Sequence, residues 1–157
     1  MIRASSIPRL TLLLLAALGA APAAEAINCR VQVAAMDFGV YMPLRSTPLD
    51  VTGRVTIRCQ ARTGSFTVTL GPGLSGDAMN RTMISPGNAG LNYNLYVDPA
   101  RTLVWGDGTG ATATVAGVRP EKGRPIFLDY PVYGRVFSGQ APPPGAYSDT
   151  ILVTVLF

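Results

Sequence analysis

The chain has 157 residues, of which 48% are hydrophobic and 14% are charged, and it contains 13 Lys+Arg, 9 Asp+Glu, two cysteines and no histidine. This length fits one domain. The lack of histidine excludes Ser/His/Asp and Cys/His catalysis and His-ligated zinc, and two cysteines are too few for a Cys-rich metal site. The eight carboxylates after residue 26 are dispersed and mark out no acid–base pair. The composition therefore predicts a non-enzymatic protein without a cofactor.

Residues 1–26 are typical of an export signal. Arginines at positions 3 and 9 precede or flank residues 10–21, an uncharged apolar run, and Ala24-Glu25-Ala26 is an A-x-A cleavage site. The run is about half a dozen residues short of a bilayer-spanning helix, which favours cleavage over anchoring. Cleavage after Ala26, or three residues earlier, removes the signal. The later cut leaves residues 27–157 as one domain with a net charge of +3 and no stretch long and apolar enough to span a membrane.

Apolar residues recur with a period of two along most of the mature chain, which predicts strands with one buried and one solvated face. In chain order the candidate strands are Cys29–Ala35, Arg54–Gln60, Phe66–Leu70, Arg81–Ile84, Leu91–Val97, Ala111–Val115, Leu128–Phe137 and the run from Tyr147 to Phe157. Clusters of Gly, Pro, Asn and Asp separate them. Seven or eight short strands at this spacing predict an all-β antiparallel sandwich. In the fifth candidate, Asn92, Asn94 and Tyr96 are predicted on the solvated face.

Cys29 and Cys59 are predicted to form one disulfide, because an exported protein folds in an oxidising compartment and the cysteine count is even. The bond would close a loop of about 30 residues, which chain-entropy arguments equate with about 3–4 kcal/mol of stability. A redox pair is disfavoured because the close Cys-x-x-Cys spacing is absent.

The basic charge is predicted to lie on solvated strand faces. A nucleic-acid-binding protein usually clusters its arginines with aromatic residues between them, and here they are scattered, so no nucleic-acid partner is expected. The arginines of the mature chain are at 30, 45, 54, 58, 62, 81, 101, 119, 124 and 135.

The C-terminal run is apolar on both faces. The inward set is Ile151, Val153, Val155 and Phe157, and the outward set includes Leu152 and Leu156. Such a strand either lies between two earlier strands or forms an edge that another protein completes by adding a strand. The residue pattern leaves both alternatives open.

A series of motifs resembles the spore coat U domain family, which includes subunits of archaic chaperone–usher pili. The motifs are Cys29, Phe38-Gly39-Val40-Tyr41, Tyr93-Asn94-Leu95-Tyr96, Trp105-Gly106-Asp107-Gly108-Thr109-Gly110, Tyr133-Gly134-Arg135-Val136 and Gly145-Ala146-Tyr147-Ser148-Asp149-Thr150. The resemblance covers essentially all of residues 27–157. Each motif alone is weak, and the specificity lies in their order.

The resemblance implies an immunoglobulin-like sandwich that lacks its last strand and has a hydrophobic groove beside the C-terminal strand. Carried over residue by residue, the groove edge falls on Ile151, Val153, Val155 and Phe157, and the Phe157 carboxylate is similar to the terminus that the chaperones of this family anchor. The implied partners are a periplasmic chaperone that lends a strand, an outer-membrane usher, and neighbouring subunits whose N-terminal extensions replace the chaperone strand. The implied location is the periplasm in transit, then the cell surface or an extracellular fibre.

One feature departs from the polymerising members of the family. Cys29 is only the third residue after the predicted cleavage site, which leaves almost no strand to donate. We therefore expect a subunit that accepts a strand without donating one, at a fibre tip or as a terminator. A secreted coat component is the alternative within the family.

An alternative of another class is a single-domain surface adhesin or carbohydrate-binding module that acts through its loops. Its candidate residues are the aromatic side chains of Tyr41, Tyr93, Tyr96, Trp105, Tyr130 and Tyr133. We expect most of them to pack in or around the core, with Trp105 as the loop aromatic that would test the alternative. Asp107 is predicted to form a tight turn, since one carboxylate lacks the spaced oxygens of a calcium site.

Overall fold

The computed structural model describes residues 28–60, 64–119 and 126–157, so the predicted export signal lies outside the described residues. The elements are β1 (Asn28–Val33), β2 (Leu49–Gln60), β3 (Gly64–Leu70), the 3-10 helix η1 (Gly73–Ser75), β4 (Thr82–Ile84), β5 (Gly90–Tyr96), β6 (Val115–Arg119), β7 (Ile126–Val136) and β8 (Val153–Leu156). Every strand pair is antiparallel. The prediction of an all-β protein is confirmed.

Two sheets form an immunoglobulin-like sandwich. The first sheet has the order β1-β2-β7-β5-β4, and the second has the order β6-β3-β8. Pro131 lies within β7, a central strand of the first sheet, although proline cannot donate a ladder hydrogen bond. The strand tolerates it because β5 pairs only with residues 133–136, so the β5 side of β7 has no ladder at Pro131.

Strand β8 is at an edge of the second sheet. It pairs with β3 from Val153 opposite Leu70 to Leu156 opposite Thr67, and with no other strand of the described chain. The sequence left two alternatives open for the C-terminal strand. A position between two earlier strands is wrong for β8, which is an edge strand among the described residues.

The core lies between the two sheets and follows the predicted alternation of apolar residues. The buried apolar side chains of β2 and β3 are Val55, Ile57, Cys59, Phe66, Val68 and Leu70, and the other core residues are Met83, Leu91, Tyr93, Leu95, Trp105, Val132 and Val136. Trp105 is fully buried, and its Nε1 donates a hydrogen bond of 3.1 Å to the Val68 carbonyl. The indole therefore helps to join the segment after β5 to the second sheet.

The predicted disulfide between Cys29 and Cys59 is confirmed. The two cysteines are directly opposite each other in the β1–β2 ladder, and Cys59 is fully buried. The bond links positions 30 residues apart and fastens β1, an edge strand, to the first sheet.

The strand predicted at Ala111–Val115 is wrong. Only Ala113 makes an isolated bridge, with Trp105, and β6 begins at Val115. The backbone of Ala111 has φ 67°, in the left-handed region that strands exclude, and it follows a turn in which Asp107 accepts hydrogen bonds from the Thr109 backbone and hydroxyl. The segment contains β-branched residues, but the glycine-rich turn before it prevents a strand. Asp107 has the predicted turn role.

Three polar or amphipathic residues predicted on solvated faces are buried. Asn94, Tyr96 and Arg81 are 1%, 7% and 0% exposed. Asn94 accepts a hydrogen bond from Arg81, and Tyr96 is covered where the chain turns back so that Val104 bridges to it. These predictions are wrong because alternation within one strand does not report the residues outside it that contact Asn94, Tyr96 and Arg81.

Candidate functional site: a groove beside the C-terminal strand

An apolar groove of about 980 Å³ opens into the sandwich between two stretches of chain, residues 33–41 and residues 142–153. Its floor consists of inward-facing side chains of the first sheet, including Val55, Leu91, Tyr93, Leu95, Val132 and Val136. All six belong to the buried core. The groove therefore gives direct access to core side chains.

One side of the groove is residues 34–41, which we call the N-terminal wall. Met36 and Phe38 pack over two glycines of the first sheet. A Cβ at Gly53 would lie 2.7 Å from Met36 Cε, and one at Gly134 would lie 2.6 Å from Met36 Sδ and 2.8 Å from Phe38 Cζ. The Phe38 ring also packs edge-on against Tyr93, with 5.7 Å between centroids. This wall is thus seated in two sockets that only glycine leaves open.

The other side is residues 148–156, which we call the C-terminal wall. It is held by backbone hydrogen bonds: Ser148 exchanges two with Ile84, at 2.8 and 3.2 Å, and Gly71 N donates to the Leu152 carbonyl at 2.8 Å. Its last part is β8, whose other edge pairs with no described strand. The wall therefore has one edge fixed to the sandwich and, along β8, a second edge that no described strand covers.

The four predicted groove residues do not have equivalent positions. Ile151 and Val153 line the groove, and together with Val155 they are half-buried against the core. Phe157 is 59% exposed, and its ring centroid lies 6.2 Å from that of Phe66. The structure thus places Ile151 and Val153 in the groove, Val155 against the core farther along β8, and Phe157 at the surface.

Asp149, at the start of the C-terminal wall, is a polar group within the groove lining. Its Oδ2 accepts a hydrogen bond of 2.8 Å from the Tyr93 hydroxyl, and its Oδ1 accepts from Leu74 N at 2.8 Å and Thr150 N at 2.7 Å. Burial, reinforced by the bond to Asp149, raises the pKa of Tyr93 far above its usual value. Sequence reasoning noted Asp149 only as part of a motif.

Arg81 is a fully buried cation beneath the same region. It donates hydrogen bonds to the carbonyls of Gly71 and Trp105 at 2.7 and 2.8 Å, and to Asn94 Oδ1 at 2.8 Å. Burial lowers its pKa, an effect opposed by the negative charges of Asp149 and Asp77. Sequence reasoning missed this residue, because it assigned the arginines of the mature chain together to solvated strand faces.

The aromatic residues proposed for a sugar-binding surface are all buried or half-buried. Trp105, the proposed loop aromatic, is buried, as are Tyr93 and Tyr96, whereas Tyr41, Tyr130 and Tyr133 are half-buried. Among the described residues, no three His, Cys, Asp or Glu side chains cluster as a metal site would require. The same part of the chain has no helix of the length and hydropathy that crossing a membrane needs.

Comparisons with known proteins agree with this architecture. The family model for the Spore Coat Protein U domain matches residues 14–154. Protein U of Myxococcus xanthus is 30% identical over 134 residues, which cover 78% of this chain and 71% of Protein U.

The fold is also similar, with a TM-score of 0.59, to a chain in the crystal structure of the CsuC-CsuE chaperone-tip adhesion subunit pre-assembly complex from archaic chaperone-usher Csu pili of Acinetobacter baumannii. The two chains are 23% identical, and the match covers 84% of this chain and 40% of that one. This chain therefore spans less than half of the longer protein, and the likeness is one of fold.

Proposed function

Because the chain belongs to the Spore Coat Protein U domain family, we propose that it is an exported structural subunit of a chaperone–usher pilus or surface fibre. In this proposal a strand from a partner protein completes its sandwich. The observation that carries the proposal is the apolar groove beside the edge strand β8. Family membership also supports the prediction of a structural protein without enzymatic activity.

The groove offers an added strand both kinds of interaction that strand addition needs. The free edge of β8 presents backbone N–H and C=O groups, and Ile151 and Val153 present apolar side chains above a floor of core residues. Burying three large aliphatic side chains of a donor strand contributes about 5–9 kcal/mol before the cost of ordering the strand. Such a strand would add substantially to the stability of a domain of this size.

The proposed partners are a periplasmic chaperone during transit, an outer-membrane usher, and neighbouring subunits of the same fibre. The solved structure that shares this fold contains a chaperone bound to a tip adhesion subunit, which supports a chaperone as one class of partner. A chaperone would cover the groove before assembly, since an exposed edge with an apolar strip promotes aggregation.

The proposal includes a place in the fibre. The predicted cleavage after Ala26 leaves two residues before Cys29, and the disulfide ties Cys29 to Cys59 within the first sheet. A mature chain of this kind would accept a strand without donating one, as expected of a tip or terminating subunit. Mass spectrometry of the mature N-terminus tests the cleavage, and insertion of that N-terminus into another subunit would contradict the placement.

The decisive experiment combines co-purification with thermal unfolding. The exported protein is expressed with and without a candidate chaperone, and its unfolding midpoint is measured with and without a synthetic peptide of alternating apolar residues. We expect a 1:1 complex with the chaperone or a large stabilisation by the peptide. A stable monomer that ignores both would overturn the proposal in favour of a loop-based adhesin or a secreted coat protein.

A pair of variants on adjacent residues makes this experiment specific to the groove. Val153→Asp places a charge among the groove side chains and is expected to abolish chaperone capture and stabilisation by the peptide. Leu152→Asp is the matched control, because Leu152 is 71% exposed on the opposite side of the same segment. Equal loss of binding in both variants would contradict a role for this face of the groove.

A further inference from the structure

Asp149 joins three parts of the molecule where the C-terminal wall begins. Its carboxylate is bonded to the Tyr93 hydroxyl in β5, to the Leu74 backbone in η1 and to Thr150 N in the wall itself. Hydrogen bonds to an ionised carboxylate are short and strong, and here their donors come from directions that fix both oxygens. The start of the wall is thereby tied to the first sheet and to the β3–β4 connection.

The position of this carboxylate depends on a glycine. Gly73 has φ 75°, in the region that favours glycine, and a Cβ built on it would collide with both carboxylate oxygens of Asp149. The backbone of η1 can therefore approach the carboxylate only because Gly73 lacks a side chain. Leu74 and Asp149, which are 75 residues apart in sequence, are joined by a hydrogen bond at this point.

The wall needs such an attachment because it borders an open apolar groove. Between Ser148 and the first residue of β8, the only backbone bond to the rest of the sandwich among those described is that of Leu152 with Gly71. The hydrophobic effect favours inward movement of Ile151 and Val153, which would narrow a groove that has no strand in it. A directional polar contact at Asp149 opposes this movement.

We propose that Asp149 is a positioning residue, which holds the C-terminal wall in the conformation that a partner strand binds before that strand arrives. The inference rests on the proposed function and names the residue that keeps the groove open. A preformed groove spares the incoming strand the cost of ordering its binding site. Loss of the contact should therefore slow strand association and leave dissociation nearly unchanged, because the bound strand then holds the wall.

The test uses mature protein and a fluorescently labelled synthetic peptide of alternating apolar residues. Amide hydrogen exchange is measured at residues 150–156 without peptide, and stopped-flow fluorescence gives the association and dissociation rate constants. For Asp149→Asn we expect about tenfold faster exchange in the wall and about tenfold slower association, with dissociation changed less than twofold. Tyr93→Phe removes one of the three bonds and should slow association by about threefold.

Asp129→Asn is the matched control, since Asp129 bonds to Arg54 and Thr56 on the exposed face of the first sheet. It should change neither exchange in the wall nor association by more than twofold. Wild-type exchange and wild-type association in Asp149→Asn would overturn the proposal. Faster exchange across β2 and β7 as well would also overturn it, because that result indicates a general loss of stability.

The two proposals can fail separately. If the wild-type protein binds neither the chaperone nor the peptide, the proposed function fails, and exchange at residues 150–156 alone decides whether Asp149 holds the wall. If Asp149→Asn does not fold, the comparison of Tyr93→Phe with the wild-type protein decides it: unchanged association in that variant would overturn the proposal.

Discussion

The two walls of the groove are attached to the sandwich by different kinds of interaction. The N-terminal wall is seated chiefly by shape, with Met36 and Phe38 in sockets left by Gly53 and Gly134, although at its end the Tyr41 hydroxyl also exchanges hydrogen bonds with the Gln140 backbone. The C-terminal wall is attached by hydrogen bonds from its backbone and from Asp149. Apolar packing is non-directional, whereas hydrogen bonds fix both distance and direction. We therefore expect the C-terminal wall to set the register of an added strand and the N-terminal wall to adjust to its side chains.

The largest expected effect comes from removing the buried cation beneath the C-terminal wall. Arg81→Met removes the guanidinium donor from the carbonyls of Gly71 and Trp105 and from Asn94 Oδ1, which keeps its hydrogen bond from Leu95 N. We expect a loss of about 3–5 kcal/mol in the free energy of unfolding, measured by urea denaturation. Arg54→Met is the control, since that side chain is 66% exposed and should contribute less than about 1 kcal/mol.

The outcome for Arg81 bears on the contrast between the walls because Gly71 links the hydrogen bonds of Arg81 to the C-terminal wall. Its carbonyl accepts from Arg81, and its N–H donates to Leu152 in the C-terminal wall. A loss of less than about 1 kcal/mol for Arg81→Met would mean that the wall does not depend on this buried network.

A smaller effect is expected at the N-terminal wall. Gly134→Ala adds a methyl group within 2.8 Å of both Met36 and Phe38, so the wall must move outward. Overpacking of this kind costs about 1–3 kcal/mol, to be measured by thermal or urea unfolding. Gly64→Ala is the control, because a Cβ there meets nothing within 4 Å.

The same variant sharpens the comparison of the walls. If the two are attached independently, Gly134→Ala leaves amide exchange at residues 148–156 at its wild-type rate. Faster exchange there would show that the C-terminal wall depends on packing at the N-terminal wall, and the contrast would then be wrong.

Local periodicity explains which parts of the fold could be predicted from the sequence. Alternation along β2 and β3 reports which side chains face the core, so Val55, Ile57 and Val68 were identified correctly. Alternation does not report what covers the other face. Asn94 and Tyr96 are misassigned because their contacts come from outside the strand: Arg81 bonds to Asn94, and Val104 pairs with Tyr96.

The candidate site was predictable only where it follows strand chemistry. The apolar C-terminal run is compatible with a central strand or an edge strand, and β8 is an edge, yet no periodicity marks the N-terminal wall. In the sequence, Gly53 and Gly134 only interrupt the strand pattern of β2 and β7. Their role as sockets is visible only when Met36 and Phe38 are packed against them. The contact of Asp149 with Tyr93 joins residues 56 positions apart, a pairing that one sequence does not encode locally.

The smallest effect is expected on the outer face of the first sheet, away from both walls. Arg135 donates to both Asp50 oxygens at 2.8 Å, and Arg101 lies 3.3 Å away. The hydrogen bonds from Arg135, aided by the charge of Arg101, lower the pKa of Asp50 despite partial burial. A depressed folded-state pKa stabilises the protein above the unfolded value near 3.9, and this contribution is lost as the pH falls through the folded value.

Asp50→Asn should therefore cost about 1 kcal/mol or less at pH 7, because the ion pairs are a third exposed and screened by solvent. The difference in unfolding free energy between variant and wild type should shrink as the pH falls below about 4. Urea unfolding from pH 7 to pH 2 measures it, and a difference that stays constant would contradict the assignment to the Asp50 charge. Peptide association should stay at its wild-type rate, since Asp50 contributes to neither wall; a slower rate would mean that the outer face of the sheet also shapes the groove.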